Sequence, residues 1–125
     1  MFILVKLETE ILNFISNFFK NLKKYFITPK VSKNIKTNFL AYPIILKNGL
    51  KFSRKEFQIH LEKNKIQTRP IFSGNILRHP AFSKLVSSTN RLNNFKNSDF
   101  IMKYGLLIGC HQGLSIKDIS YIHKT

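Results

Sequence analysis

The first strong pattern along the chain is an apolar stripe between residues 4 and 26. The stripe advances in steps of three and four residues through Leu4, Leu7, Ile11, Ile15, Phe18 and Leu22. This spacing places side chains on one face of an α-helix. Pro29, which cannot continue a helix, follows shortly afterwards. We therefore predict one amphipathic helix over residues 4–26.

The predicted helix has two possible partners for its apolar face. It can pack on a protein core, or it can lie in the interface of an anionic membrane. A membrane-surface helix is typically rich in basic residues, whereas the first charges after Lys6 are Glu8 and Glu10. The pattern therefore favours packing on a core.

The next segments indicate a loop, a strand and a capped helix. Residues 30–38 are polar without an apolar period, and Leu40–Leu46 then indicates a strand. Pro43 within that run suggests an edge strand or a strand start, and Asn48-Gly49 is a tight-turn signal. The next helix runs to about residue 64. It is predicted from a capping box of Ser53 and Glu56, flanked by Phe52 and Phe57 at the spacing of a hydrophobic staple.

The C-terminal half alternates short elements with irregular segments. Residues 66–68 are predicted to be extended, 70–82 to form a loop, 81–86 to include some helix, and 90–97 to form a loop. Asn97 or Ser98 is predicted to cap a helix that ends at Gly105. The buried strand 106–108 follows it.

The last helix is predicted from a second cap-and-staple pattern. Leu114, Ser115, Asp118 and Ile119 repeat the logic of the first capping box, with Asp in place of Glu. We expect this helix to end near His123. In this interpretation Asp99 and Asp118 both serve as helix caps.

The order of elements predicts the fold class. Strands alternate with helices over 125 residues, which indicates an α/β (α+β) fold, a small-domain sandwich of helices on a short sheet. We divide the chain into an N-terminal helix with its linker loop, residues 1–38, and a small domain, residues 39–125.

A formal net charge of +15, from 21 basic and 6 acidic residues, adds a possible anionic partner. The basic residues are mostly Lys, accompanied by abundant Asn, Ile and Phe, and all four residue types have A/T-rich codons. The Lys residues are also spread along the chain. We therefore expect a solvated basic surface, with neither nucleic acid nor membrane as a partner. A non-enzymatic basic module that binds nucleic acid or anionic membrane remains the alternative.

Cysteine content and apolar run lengths indicate the compartment. A single cysteine, Cys110, excludes an internal disulfide and suits a reducing cytoplasm. The N-terminal apolar run is too short for a transmembrane span of about 20 residues and lacks the features of a signal peptide. We expect a cytoplasmic protein.

Histidines and acidic residues give no catalytic or metal-binding pattern. None of the four histidines lies at a zinc-ligand spacing from Cys, Asp or Glu. Cys110 and His111 are adjacent, and on a strand they would point to opposite faces. A nucleophile–base pair is therefore not expected.

The segment Thr68–Pro80 stands apart because it holds two of the four arginines, Arg69 and Arg78. A guanidinium is a planar fork that binds phosphate or carboxylate through two hydrogen bonds. Gly74 and Asn75 allow a tight turn that brings backbone N–H groups close to a ligand. The same residues also suit an ordinary loop with arginines on its surface, and residue types alone leave both interpretations open.

Several strings in this region resemble the C-terminal part of the DegT/DnrJ/EryC1/StrS family of pyridoxal-phosphate-dependent sugar aminotransferases and dehydratases. Within the family, the chain is most similar to the CDP-4-keto-6-deoxyglucose 3-dehydratase branch of lipopolysaccharide biosynthesis. About two thirds of the chain takes part. The carrying strings are Phe39-Leu40-Ala41-Tyr42-Pro43-Ile44, Phe52-Ser53-Arg54, Leu61-Glu62-Lys63-Asn64-Lys65-Ile66, Thr68-Arg69, Gly74-Asn75-Ile76-Leu77-Arg78-His79-Pro80-Ala81-Phe82, Asn97-Ser98-Asp99-Phe100-Ile101-Met102 and Leu107-Ile108-Gly109-Cys110-His111-Gln112-Gly113-Leu114-Ser115.

The resemblance implies a place for this chain in a larger enzyme. It implies the small domain of a fold-type-I enzyme, which closes one wall of an active site. The residues it places beside the sugar nucleotide and the cofactor are Arg69, Gly74, Asn75, Arg78 and His111. The parent enzyme would be a homodimer that uses pyridoxal phosphate or pyridoxamine phosphate on a 4-keto-6-deoxy sugar nucleotide.

What the resemblance does not supply is the chemistry. Nothing in the sequence matches the family's large domain, which carries the Schiff-base lysine or the histidine that replaces it in the 3-dehydratases. We therefore expect this chain alone to bind no cofactor and to be inactive, or to dock onto a separately encoded large domain through its N-terminal helix. The Gly-Asn-x-x-Arg string leans towards a dehydratase, and an aminotransferase remains open.

Overall fold

The computed structural model describes residues 2–32, 34–35, 37, 39–85, 94–111 and 113–125, with side chains described outside 2–10 and 83–85. Within the described residues, four α-helices, four strands and two 3-10 helices follow in chain order. They are α1 (Phe2–Asn21), β1 (Phe26–Ile27), β2 (Ala41–Leu46), α2 (Arg54–Lys63), β3 (Thr68–Pro70), η1 (Ile76–Arg78), η2 (Pro80–Leu85), α3 (Lys96–Tyr104), β4 (Gly105–Gly109) and α4 (Ile116–Lys124).

The four strands form one antiparallel sheet in the order β1-β2-β4-β3. Its centre is the pairing of β2 with β4, which runs from Ala41 opposite Gly109 to Ile45 opposite Gly105. β3 lies on the other side of β4, and β1 pairs with the end of β2. The predicted class, helices on a short sheet, is confirmed.

One face of the sheet forms the core. Side chains of successive strand residues point to opposite faces, and every second residue of β2 is buried. α1, α2 and α4 contribute buried side chains to the same cluster. Its members from the sheet are Phe26, Tyr42, Ile44, Leu46, Leu106 and Ile108, and those from the helices are Ile11, Ile15, Phe19, Leu61 and Ile119.

The first helix packs on this core, as predicted, but it ends earlier than residue 26. It stops at Asn21, and the chain turns through Leu22–Tyr25, with the Tyr25 N–H donating to the Leu22 carbonyl at 2.9 Å. Phe26 then enters the sheet as a strand residue opposite Leu46. Its ring packs 5.4 Å from that of Phe19. In this position the Phe26 side chain is buried in the core.

The predicted apolar stripe packs on the core at Ile11 and Ile15, and Phe19 joins it next to Phe18. Phe19, at 4% exposure, is buried in the core, whereas Phe18 stacks on the His123 ring with centroids 3.5 Å apart. The Nε2 atom of His123 is buried without a hydrogen-bond partner. Burial lowers the pKa of this histidine, so its neutral form is favoured in the folded chain.

Pro43 lies in β2, which is an interior strand of the sheet and not an edge strand. β1 is only two residues long and pairs with β2 at Ile45 and Leu46. Among the described residues, Pro43 therefore has a strand neighbour on one side only, Leu107 of β4. On the side of β2 that faces β1, no strand lies opposite Pro43, so its missing N–H removes no hydrogen bond there. At this position β2 has the character of an edge strand, as the proline suggested.

Both predicted capping boxes are confirmed. The Ser53 Oγ accepts from the Glu56 N–H at 3.2 Å, and the Glu56 carboxylate accepts from the Ser53 N–H at 2.7 Å. Ser115 and Asp118 do the same for α4. Asn48-Gly49 turns as predicted, with Gly49 at φ +84°.

The region between β3 and β4 departs most from the predictions. Strand β3 includes Arg69 and Pro70, and the predicted loop contains η1. α3 begins at Lys96, one residue after a Phe95 that makes no side-chain cap bond. Capping by Asn97 or Ser98, and by Asp99, was therefore wrong. Val86 and residues 90–93 of the predicted 90–97 loop lie outside the described residues, and Lys96 and Asn97 of that predicted loop are helical.

In the part of the chain that the structure describes, no helix combines the length and apolarity that crossing a bilayer requires.

The burial of α1 makes a direct prediction about stability. Ile15 is 2% exposed in the core, whereas Ile59 on α2 is 43% exposed. We expect Ile15→Ala to lower the free energy of unfolding by about 2–5 kcal/mol, because it removes buried methyl groups and leaves a cavity. Ile59→Ala, the matched control, should change it by only about 0.5 kcal/mol. Urea denaturation of the two variants measures the difference, and equal effects would contradict the packing of α1.

Candidate functional site

The five predicted site residues fall into two groups in the fold. Gly74, Asn75 and Arg78 lie with Asp99 around the start of α3, and we call these four residues the Asp99 clasp. Arg69 and His111 line a groove on the sheet face opposite the core. The two groups offer different chemistry.

The clasp begins with a turn in which only glycine fits. The Gly74 N–H donates to the Ile71 carbonyl at 3.0 Å, and Gly74 adopts φ +61°, in the left-handed region. A Cβ atom at this position would overlap the Cβ and Cγ atoms of Met102 on α3. Close packing against α3 and the positive φ therefore both require glycine.

Asn75 is the buried centre of the clasp, with 3% exposure. Its Oδ1 accepts from the Leu77 N–H at 3.1 Å and so caps η1. Its Nδ2 donates to Asp99 Oδ1 at 2.8 Å. The side chain is thus oriented by two bonds within the chain.

Arg78 completes the clasp with the planar fork that the sequence predicted. Its Nη2 donates to Asp99 Oδ2 at 2.6 Å, and its Nε donates to Asp99 Oδ1. The bonds from Arg78 first, and then from Asn75, lower the pKa of Asp99 from 3.8 to about 2. The fork that was expected to hold a ligand anion holds a carboxylate of its own chain.

Asp99 is the residue that the sequence analysis missed. It lies 21 residues from Arg78 and 24 from Asn75 in the chain, and its place near a helix start suggested a cap. Sequence patterns such as capping boxes act over three or four residues, so none of them pairs an acidic residue with an arginine 21 residues away. Two arginines in one short segment of a Lys-rich chain were the only available signal that a carboxylate partner was needed.

The groove includes the open face of the sheet and extends to Asp118, Tyr121 and Ile122 of α4. Pro43, Leu107 and Arg69 are register partners across β2, β4 and β3, and directly opposed residues share a face. The cavity above them measures about 1120 Å³. Its floor is apolar, and Arg69 is the arginine among the residues that line it.

Two side chains on the groove rim are unusually exposed for apolar residues. Leu40 is 96% and Phe72 87% exposed. Phe72 also adopts φ +45°, a region that is strained for an aromatic residue. Such exposure and strain on one rim are typical of a surface that another molecule covers.

Arg69 is positioned by its neighbour Thr68. Glu62 on α2 accepts from the Thr68 N–H at 2.6 Å and from its hydroxyl at 2.7 Å, which fixes the start of β3. These bonds, more than the charge of Arg69, lower the pKa of Glu62. Within the described residues, the Arg69 guanidinium donates no hydrogen bond, so its fork is available to an anion in the groove.

His111 lies at the end of the groove, where β4 leads into α4. Its Nδ1 accepts from the Gly113 N–H at 3.2 Å and its carbonyl from the Leu114 N–H at 3.0 Å. His111 is exposed, whereas the adjacent Cys110 is buried.

The groove residues do not fit a complete pyridoxal phosphate site. A Schiff base needs a lysine held in the site, and every lysine whose side chain the structure describes is exposed, including Lys65 at the groove margin. Arg69 offers one guanidinium for a phosphate. The described side chains also contain no group of three His, Cys, Asp or Glu that could hold a metal ion.

Comparison with known proteins gives a consistent result over the length of the chain. A family model described as the DegT/DnrJ/EryC1/StrS aminotransferase family matches residues 3–125. The lipopolysaccharide biosynthesis protein RfbH of Salmonella typhimurium is 29% identical over 75% of this chain and 21% of its own length. The GDP-4-keto-6-deoxy-D-mannose 3-dehydratase of Escherichia coli O55:H7 is 28% identical over 71% of this chain and 23% of its own length.

Solved structures share the fold. An E. coli GDP-4-keto-6-deoxy-D-mannose-3-dehydratase with bound hydrated pyridoxal phosphate superimposes with a TM-score of 0.75 at 21% identity, over 96% of this chain and 30% of that one. The Helicobacter pylori aminotransferase PseC gives 0.76 at 17% identity, over 98% and 31%. The chain thus spans about a fifth of the curated relatives and about 30% of these structures.

The clasp predicts a specific effect of removing the Asp99 charge. Asp99→Asn should weaken both Arg78 bonds and speed amide hydrogen exchange at Leu77 and Arg78. Because pairing lowers the pKa of Asp99, the wild-type chain gains stability above about pH 4 that is lost as pH falls through about 2. The stability difference between wild type and variant should therefore narrow below about pH 4. Asp118→Asn, which alters the cap of α4, is the control and should leave exchange at Leu77 unchanged.

The two left-handed glycines provide a second, steric test. Gly49 at φ +84° has open space where a Cβ would lie, whereas Gly74 faces Met102. Gly49→Ala should cost about 1–2 kcal/mol from the backbone conformation alone. Gly74→Ala should cost about 2–5 kcal/mol, because overpacking adds to it. Thermal unfolding measures both, and equal losses would mean that the loop moves away from α3 freely.

Proposed function

We propose that this chain, which belongs to the DegT/DnrJ/EryC1/StrS aminotransferase family, forms the small C-terminal domain of a pyridoxal-phosphate-dependent enzyme acting on a sugar nucleotide. The observation that carries the proposal is the family match over residues 3–125, together with a groove whose apolar floor holds one arginine without a hydrogen-bond partner among the described residues. In this role the chain supplies one wall of an active site, and a cofactor-binding part supplies the reacting groups.

The groove has the properties of such a wall. Arg69 stands over an apolar floor, where a guanidinium binds phosphate more strongly than it does in water. His111 lies at the end of the groove and adds a polar ring. We assign Arg69 the role of binding an anionic group of the sugar nucleotide or the cofactor, and His111 a contact beside it.

The clasp residues have a supporting part in this proposal. Asn75 and Arg78 both donate hydrogen bonds to Asp99, so the carboxylate offsets the positive charge of the Arg78 guanidinium. Three of its five N–H groups are not used by Asp99, and they can still donate to a sugar hydroxyl or a phosphate. We propose that Gly74, Asn75 and Arg78 present a rigid edge to the substrate, while Arg69 provides the charge.

The reaction that we favour is removal of the C3 hydroxyl, as water, from a 4-keto-6-deoxy sugar nucleotide in lipopolysaccharide or O-antigen sugar biosynthesis. The curated relatives include 3-dehydratases acting on GDP-linked and dTDP-linked sugars and the lipopolysaccharide protein RfbH. Transfer of an amine to such a sugar is the second candidate, because solved aminotransferases share the fold. The nucleotide itself is left open.

The groove is also where we expect the cofactor-binding part to pack. The described part of the α1 apolar stripe, the docking face suggested by the sequence, packs in the core of this chain. The exposed Leu40 and Phe72 on the groove rim are the apolar surface that a partner would cover. We propose docking through this rim, with the partner part in the same polypeptide or in a separate one, and assembly of the parent as a homodimer.

Reconstitution tests the proposal. The DNA that flanks this reading frame should encode a cofactor-binding part of the family, with His at the Schiff-base position for a dehydratase or Lys for an aminotransferase. Co-expression of that part with this chain should yield a complex with cofactor absorbance and turnover of a GDP- or dTDP-linked 4-keto-6-deoxy sugar. This chain alone should show neither.

Groove variants make the test specific. Leu40→Glu and Phe72→Glu should abolish assembly and cofactor absorbance, whereas Ile59→Glu, at an exposed apolar position on α2 that does not line the groove, should not. Arg69→Gln should assemble but raise the KM for the sugar nucleotide at least about tenfold. Absence of any cofactor-binding reading frame, or assembly that the Glu variants leave intact, would overturn the proposal.

A further inference from the structure

Seven of the seventeen lysines, drawn from three separate segments of the sequence, gather at one end of the fold. Segments 20–25, 47–56 and 101–104 contain eight basic residues and one acidic residue, Glu56. The exposed lysines of these segments form what we call the basic end, which consists of Lys20, Lys23, Lys24, Lys47, Lys51, Lys55 and Lys103.

Contacts between the three segments fix this arrangement. The Lys47 N–H donates to the Tyr25 carbonyl at 2.8 Å, which joins the turn after α1 to the end of β2. The Tyr104 hydroxyl donates to Asn48 Oδ1 at 2.9 Å, which brings the end of α3 to the same loop. The segments are far apart in the chain and adjacent in the structure.

Each segment also carries a lysine followed directly by an aromatic residue. The pairs are Lys24-Tyr25, Lys51-Phe52 and Lys103-Tyr104. Lys24 Nζ lies 4.6 Å from the centre of the Tyr25 ring, and Lys103 Nζ lies 5.1 Å from that of Tyr104. Phe52 is 37% exposed. Each of these two tyrosines thus has a lysine over one face of its ring, and the basic end interleaves positive charges with aromatic rings.

The acidic residue at this end does little to offset the charge. The Glu56 carboxylate accepts the Ser53 N–H at 2.7 Å in the capping box of α2, and that bond lowers its pKa. It is held at the helix start and not against the lysines. The surface thus keeps a concentrated positive potential that attracts a polyanion.

We propose that the basic end binds single-stranded nucleic acid, with phosphates on the lysines and unpaired bases against the aromatic rings. Alternating cations and ring faces are what sequence-independent binding of single strands uses, since every base has a face that can stack. An anionic membrane surface would use the lysines but not the planar faces of partly buried tyrosines. The proposal departs from the expectation drawn from the sequence, which rested on the lysines being dispersed.

The test uses the purified full chain and a fluorescein-labelled oligothymidylate of about 20 nucleotides, titrated by fluorescence anisotropy at several salt concentrations. The variant is K24Q/K51Q/K103Q. Its matched control, K63Q/K117Q/K124Q, removes the same charge from exposed lysines of α2 and α4. Circular dichroism checks that both triple variants remain folded, and K47Q/K55Q is a second basic-end variant should the first unfold.

We expect the basic-end variant to weaken binding at least about tenfold at low salt and to reduce the slope of log Kd against log salt by about 2, because three phosphate contacts are lost. The control variant should change the slope little. An abasic strand of equal length should bind at least about fivefold more weakly than oligothymidylate.

Three outcomes would overturn the proposal. They are equal weakening by the control variant, equal binding of the abasic strand, and retention on phosphatidylserine vesicles without oligonucleotide binding. The sugar-nucleotide role concerns the groove and is tested by reconstitution, so failure of either proposal leaves the other standing.

Discussion

The antiparallel pairing of β2 with β4 is the constraint on which the rest of this small fold depends. It places Tyr42 opposite Ile108 and Ile44 opposite Leu106, and these four side chains are among the least exposed in the chain. α1, α2 and α4 cover them, and the short strands β1 and β3 extend the sheet. A slip of one residue would turn the core side chains to the open face. The alternation that buries the core therefore also places Pro43, Leu107 and Arg69 in the groove.

Local signals in the sequence were enough to predict most helix starts and the main strands. The capping boxes at Ser53 and Ser115 act over three residues, so their partners could be identified directly from spacing. Strand β1 could not be predicted in this way, since two residues are too few to show the alternation of apolar and polar residues typical of a strand. It pairs with β2 where Phe26 enters the core. The early end of α1 has the same cause. Long-range burial decides both.

The two arginines of the Thr68–Pro80 segment show why the site was harder to predict than the fold. The sequence presents Arg69 and Arg78 as equivalent forks, and the family resemblance places both beside a ligand. Their difference comes from Asp99, which neutralises Arg78 and is brought to it by the packing of α3 against Gly74. Arg69 points from an edge strand into an apolar groove. Residue type and spacing cannot predict this difference between Arg69 and Arg78, because it depends on which arginine the fold places next to a carboxylate.

The positions of the two proposed surfaces follow from the direction of β2. The strand begins at Ala41, beside the groove rim at Leu40, and ends at Leu46, next to Lys47 of the basic end. β4 runs the opposite way, from Tyr104 at the basic end to His111 at the groove. The exposed apolar rim and the lysines thus lie towards opposite ends of one rigid ladder. A cofactor-binding part that covers Leu40 and Phe72 would leave the basic end accessible, because the six-residue length of β2 separates the two surfaces by about 20 Å. The same core can therefore support both surfaces, and occupation of one does not require release of the other.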